Sequence, residues 1–194
     1  MAKCMITISR QYASGGSLIG AMLAQKLNLP LYDKEIVTLS AKQSGINSDF
    51  FVQPEQAPSA YLRDFSSGVP SNLPLSDKVY LAQLNVLCAL AKSGPCIIVG
   101  HGAGVALKEL APLLNVFVYA DMEVRKRRAI DEYGDDPHRI EEHMKAIDQK
   151  RASYFRFYAG VDGRKSENYH LCVDSGRLGI EGAVATIEAA YLAI

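Results

Sequence analysis

Ser9-Arg10-Gln11-Tyr12-Ala13-Ser14-Gly15-Gly16-Ser17 has the make-up of a phosphate cradle. It follows a short apolar run, CMITIS at residues 4–9, and precedes a helical pattern at residues 17–27 with Leu18, Met22, Leu23 and Leu27 apolar. A loop between a buried strand and a helix N-terminus offers unpaired N–H groups and the positive end of a helix dipole. Set against the pattern G-x-x-x-x-G-K-[ST], Arg10 stands at the first Gly, Gly15 at the second, Gly16 at the Lys and Ser17 at the Mg2+-binding hydroxyl. Two of the four defining positions differ. Ser14 to Ser17 equally suits a plain turn in which Ser17 caps the helix. On the phosphate reading, the missing Lys must be replaced by another cation, for which Arg10, Lys34 and the later arginines are candidates.

Other residues have the types and places for the same chemistry. Asp33 ends a short apolar segment, where a carboxylate can orient Mg2+ through water or accept the proton of an attacking phosphate oxygen. It also suits the N-cap of a helix expected over residues 34–42. His101 lies between Gly100 and Gly102, after the apolar run at residues 96–99, and is either a phosphate donor when protonated or a solvent-facing turn residue. Arg151, Arg156 and Arg164 flank Tyr154, Phe155, Phe157 and Tyr158. Such arginines either supply charge to a transferring phosphoryl group or pack their stems on the core with heads in water. His138 and His143, five apart, fall on different helix faces and make no transition-metal pair.

The elements that would hold these groups alternate. Apolar runs at residues 4–9, 29–32, 96–99, 116–119 and 171–173 read as five strands. Helical patterns occupy 17–27, 34–42 and 75–91, a basic stretch from Asp121, about 138–157, and 179–192, the last after a turn at Ser175-Gly176. Residues 53–74, with Pro54, Pro58, Pro70 and Pro74, read as an irregular excursion. Such alternation predicts an α/β fold, a parallel sheet with helices on both faces, whose ligands bind at the carboxyl ends of the strands. Arg10 to Gly16, Asp33, Gly100 to Gly102 and Asp174 to Arg177 all fall at such ends.

The bulk numbers fit one domain over residues 1–194. The 21 Lys+Arg balance the 21 Asp+Glu, so no global field draws nucleic acid or an anionic membrane. Cys4, Cys88, Cys96 and Cys172 form no CxxC pair and read as free thiols. Without a leader-like start or an apolar run of about 18 residues, a cytoplasmic protein is expected.

The order of the pieces resembles the cytidylate kinase-like family of P-loop proteins. ITISRQYASGGSLIG at residues 6–20 is similar to its opening motif, in which Arg-Gln and a Gly-Gly in place of Gly-Lys are usual. LPLYDKEIV at 29–37, CIIVGHGAG at 96–104, RASYFRFYAG at 151–160 and LGIEGAV at 178–184 resemble further family segments in order. The resemblance implies a three-layer P-loop NTPase fold of the nucleoside-monophosphate kinase type with a five-stranded parallel sheet. It further implies a monophosphate-binding insertion over about 34–94 and a lid over about 135–165. ATP with Mg2+ is the implied cofactor and a nucleoside monophosphate the implied partner, with Arg10, Ser14, Gly15, Gly16, Ser17, His101 and Arg125 as binding residues. Asp33, Arg151 and Arg156 are then catalytic, and Ser17 holds the metal. In kinases of this shape a basic residue in the Arg125 to Arg128 run approaches the ATP phosphates or adenine; a solvated helix face is the other reading. The Asp174 to Arg177 loop resembles one that accepts the adenine edge, and ordinary turn chemistry explains it equally. Where cytidylate kinases carry Gly-Arg-Asp after the third strand, with the Arg taken to hold the monophosphate, this chain has Gly100-His101-Gly102. A binder that senses nucleotide without turnover is the alternative function.

Overall fold

The computed structural model describes residues 4–52 and 73–194. Five strands, β1 (Met5–Arg10), β2 (Leu31–Tyr32), β3 (Ile97–Val99), β4 (Leu113–Tyr119) and β5 (Leu171–Asp174), form one parallel sheet in the order β2-β3-β1-β4-β5. The central strand β1 pairs Ile6 with Ile97 on one side and with Leu114 on the other. Covered on both faces, it is buried from Met5 to Ser9, and its polar Thr7 is satisfied inside by donating to Asn115 Oδ1 at 2.9 Å.

Successive β1 residues serve opposite layers. Ile6 and Ile8 join Ile19 and Leu23 of α1 (Gly16–Leu27) and Val184 and Ile187 of α8 (Ser175–Leu192) in the larger core cluster. Met5 faces the other layer, with Ile36 of α2 (Glu35–Ser44), Val86 and Leu87 of α4 (Leu75–Ser93) and Leu107 just after α5 (Ala103–Ala106). The short helix α3 (Asp49–Val52) packs against α2. A third, smaller cluster joins Ala13 of the loop after β1 to Ala129 of α6 (Met122–Asp131) and to Ile140 and Met144 of α7 (Ile140–Ala159). This third cluster fastens the loop to the two helices that follow β4. Residues 53–72, most of the expected irregular excursion, lie outside the described residues.

Three local expectations need correction. Asp33 does not cap α2: Lys34 holds the cap position without a side-chain bond, and the Asp33 carboxylate instead faces Arg10 at 3.4 Å. The last helix begins directly at Ser175, capped by Asp174, whose Oδ1 accepts from the N–H groups of Gly176 and Arg177 at 2.9 and 3.2 Å. It breaks helical geometry once, at Gly179 (φ 69°, ψ 177°), which accounts for the later apparent start. The stretch from His138 opens as a 3-10 turn, Pro137–Arg139, before α7.

Candidate functional site

Between β1 and α1 the chain turns through Ala13 (φ 56°) and Gly15 (φ 81°), and the first amides of α1 have no carbonyl one turn below to receive them. What aims those amides is the fate of the loop's carbonyls, which side chains take up one after another. Arg151 Nη1 donates to the carbonyl of Arg10 at 3.0 Å, and the Ser14 hydroxyl to that of Gln11 at 3.0 Å. Arg125 Nη1 donates to Tyr12 O at 3.2 Å, Arg128 Nη1 to Ala13 O at 3.0 Å, and Ser175 Oγ to Ser14 O at 2.6 Å. Five consecutive carbonyls, of residues 10 to 14, thus have donors. These bonds fix the loop that leads into α1, where Gly15 and Gly16 are buried and Ser17 is exposed at the positive end of the helix.

Further bonds pin the loop. Gln11 N–H donates to Val118 O on β4 at 3.1 Å, and that carbonyl, also 3.1 Å from Ser14 Oγ, shares the single hydroxyl hydrogen with Gln11 O. Tyr12 N–H donates to Asp148 Oδ1 at 2.7 Å, and the Tyr12 hydroxyl to Asp135 Oδ2 at 2.9 Å. Burial and the Asp135 carboxylate push the Tyr12 phenol up to about 12.

Arg125 was expected at a nucleotide or on a solvated face, and the structure places it in neither. It is 4% exposed, and its guanidinium bonds Ala120 O at 3.1 Å, Tyr12 O, and Asp148 Oδ2 at 2.8 Å. Arg128 also turns inward, while Arg127 is exposed. Arg151 lies 33% exposed between the Arg10 carbonyl and the Tyr12 ring, 6.0 Å from its centroid. Burial first, then the nearby Arg10 charge, holds it down at about 10. Arg156 does not join the group; it is 65% exposed and pairs with Asp162 at 3.7 Å.

On the far side of β1 the ends of β2 and β3 meet. Arg10 Nη2 faces Asp33 Oδ1, and His101 Nε2 bonds the Asp33 carbonyl at 2.9 Å. A carbonyl only accepts, so Nε2 carries the hydrogen. Burial and the Arg10 charge keep His101 below its ordinary pKa of 6.5, which favours the neutral ring. Gly100, His101 and Gly102 have φ of 83°, 56° and 68°, a left-handed turn that glycine adopts freely and histidine only at a cost.

Contacts therefore link Arg10 to Asp33, Gly16, Gly100 and Arg151, and His101 to Asp33, at the strand ends, with Ser14, Gly15 and Ser17 on the adjoining loop; Arg125 lies beneath that loop and Arg156 away from it. Sequence reasoning missed Asp148 and Tyr12. Asp148 is one charge among many on α7, and only the fold shows that it receives both a loop amide and Arg125.

Sheet order and loop together define a P-loop kinase fold. The chain belongs to the cytidylate kinase-like family, whose profile matches residues 5–177. A crystal structure of an uncharacterized protein from Eubacterium ventriosum is similar at a TM-score of 0.72 and 22% identity, over 97% of this chain and 98% of that one. Shikimate kinase from Bacteroides thetaiotaomicron is similar at 0.58 and 16% identity, over 96% and 97%. Shikimate kinase from Acinetobacter baumannii, in complex with shikimate, gives 0.58 and 13%, over 98% and 93%. A search of curated proteins finds no match to the sequence. Among the described residues, no helix is long and apolar enough to cross a membrane, and no cluster of His, Cys, Asp and Glu suits a metal on its own.

Proposed function

We propose that this protein transfers the γ-phosphoryl group of ATP to a small acceptor, with a nucleoside monophosphate as the first choice. The observation that carries the reading is the loop whose five carbonyls are all engaged, leaving the amides of Gly15, Gly16 and Ser17 to receive an anion. The donor set fits a magnesium nucleotide: backbone amides for the phosphates, the exposed Ser17 hydroxyl for the cation, and the Asp33 carboxylate paired with Arg10 at the strand ends. Magnesium, when bound with the nucleotide, would neutralise charge on the phosphates. The chain's own residues do the rest. The loop amides and Arg10 hold the donor, Asp33 accepts the proton of the acceptor oxygen, and Arg151 adds positive charge behind the loop. The acceptor lies at the ends of β2 and β3, beside Gly100 and Asp33.

The test is 31P NMR of purified protein with ATP, Mg2+ and a panel of CMP, dCMP, UMP, AMP, GMP and shikimate. ADP together with a new diphosphate supports the proposal and names the acceptor. Transfer to shikimate alone keeps the phosphotransferase and overturns the nucleotide acceptor. A second reading, binding without turnover, is favoured by one observation, the absence of a lysine at Gly16. It predicts thermal stabilisation by nucleotide with unchanged spectra.

A further inference from the structure

Gly16 is glycine for a reason its backbone does not supply. Gly15 turns through the left-handed region, whereas Gly16 opens a helix with no such φ. A methyl group at Gly16 would lie 2.8 Å from Arg10 Cβ and 3.0 Å from its Cγ. The stem of Arg10 fills the space in which any side chain at 16 would start. From there the side chain runs on to Gly100, where an added methyl would overlap Nη1, and ends against Asp33. Arg10 is threaded between two glycines.

In the pattern G-x-x-x-x-G-K-[ST], glycine stands where this chain has Arg10, and lysine where it has Gly16. We infer that Arg10 and Gly16 are one reciprocally exchanged pair: Arg10 is the phosphate-binding cation of the loop, and Gly16 is the room its stem requires. This rests on the reading above that the loop holds a nucleoside triphosphate.

The exchange changes the chemistry as well as the address. A guanidinium replaces an ammonium, bringing a planar fork of donors suited to two phosphate oxygens at once. It is anchored at the end of β1 rather than on the first turn of α1, so its head lies on the β2–β3 side, next to Gly100 and Asp33. There it meets the outermost phosphoryl group, the one that faces an acceptor. Asp33 holds the head in place before ligand arrives.

Five proteins test this: wild type, Arg10→Met, Arg10→Gly, Gly16→Lys and the double variant Arg10→Gly with Gly16→Lys, which rebuilds the G-x-x-x-x-G-K-S pattern. Each is measured twice, by its melting midpoint without ligand and by calorimetric affinity for ATP with Mg2+. Arg10→Met keeps the stem and should melt near wild type while losing about tenfold or more in affinity, as expected for a lost charged hydrogen bond. Gly16→Lys alone should lower the midpoint by several degrees, because the new chain meets the Arg10 stem; beside Arg10→Gly the same lysine should cost little and recover affinity. Additive midpoints across the cycle, or an Arg10→Met protein that binds ATP as tightly as wild type, overturn the inference alone. A wild-type protein with no affinity for ATP overturns the proposed function as well.

Discussion

Arg125 offers a sharp test of whether a basic residue on α6 serves the ligand or the loop. Its guanidinium gives two bonds to neutral carbonyls, Ala120 O and Tyr12 O, and one to the Asp148 carboxylate. Because the guanidinium is charged, all three are charge-assisted bonds, worth about 1.5–3 kcal/mol each. Asp148 is 25% exposed, so water recovers part of the last and its lower value applies. Arg125→Met keeps the stem in its buried slot and removes the head, for a net loss of about 4.5 kcal/mol at the lower value for each bond. At about 2–4 °C per kcal/mol for a chain of this size, the melting midpoint should fall by about 9–18 °C. Urea unfolding gives the free energy, and ATP affinity is read at a temperature where the variant remains folded. Tyr12 also loses its carbonyl anchor, so affinity should fall modestly, by a few-fold. A variant that unfolds within about 0.5 kcal/mol of wild type but loses ATP a hundredfold would refute the reasoning and return Arg125 to the ligand.

Two further predictions follow from the site. His101 is depressed below 6.5 in the folded state, so below that pH the unfolded chain takes up a proton that the folded one refuses. This residue therefore makes stability fall as pH drops from about 6.5, until the folded ring also protonates. His101→Asn, which tolerates the left-handed turn and can donate to the Asp33 carbonyl, should flatten that part of the curve; parallel urea midpoints from pH 7.5 to 5.5 would sink the argument. Ser175→Ala deprives Ser14 O and Tyr119 O of a shared donor and should cost about 1–2 kcal/mol in urea unfolding. An unchanged midpoint would show that the loop carbonyl is satisfied in another way.

The layers were legible because strands buried on both faces are rich in apolar residues: β3 is an unbroken run, β4 is broken only by Asn115, and β1 keeps Met5, Ile6 and Ile8 around Thr7. The place of the Gly-rich loop was legible from position alone, since it lies between a strand and a helix that the apolar pattern already marks. Direction was not. Arg125 and Arg127 are identical letters two apart, yet one is buried under the loop and the other exposed, and only the packing of α6 against Tyr12 and α7 separates them. Asp33 has the local propensity of a cap, but a partner 23 residues away in sequence takes its carboxylate, and Glu35 receives its N–H instead at 3.0 Å. Long-range demand overrode local preference in both cases.

The sheet order also bears on how the chain comes together. β1 and β2 do not pair with each other; both need β3, which joins Ile6 to Ile97 and Leu31 to Ile97. During synthesis, the loop and its first two strands are made long before a sheet partner for either exists. Until Val99 has emerged, β1 and the loop after it have no sheet to stand on, which makes truncated chains ending before β3 the species most exposed to aggregation. The three residues of β3 are thus the point at which the first half of the molecule becomes able to fold.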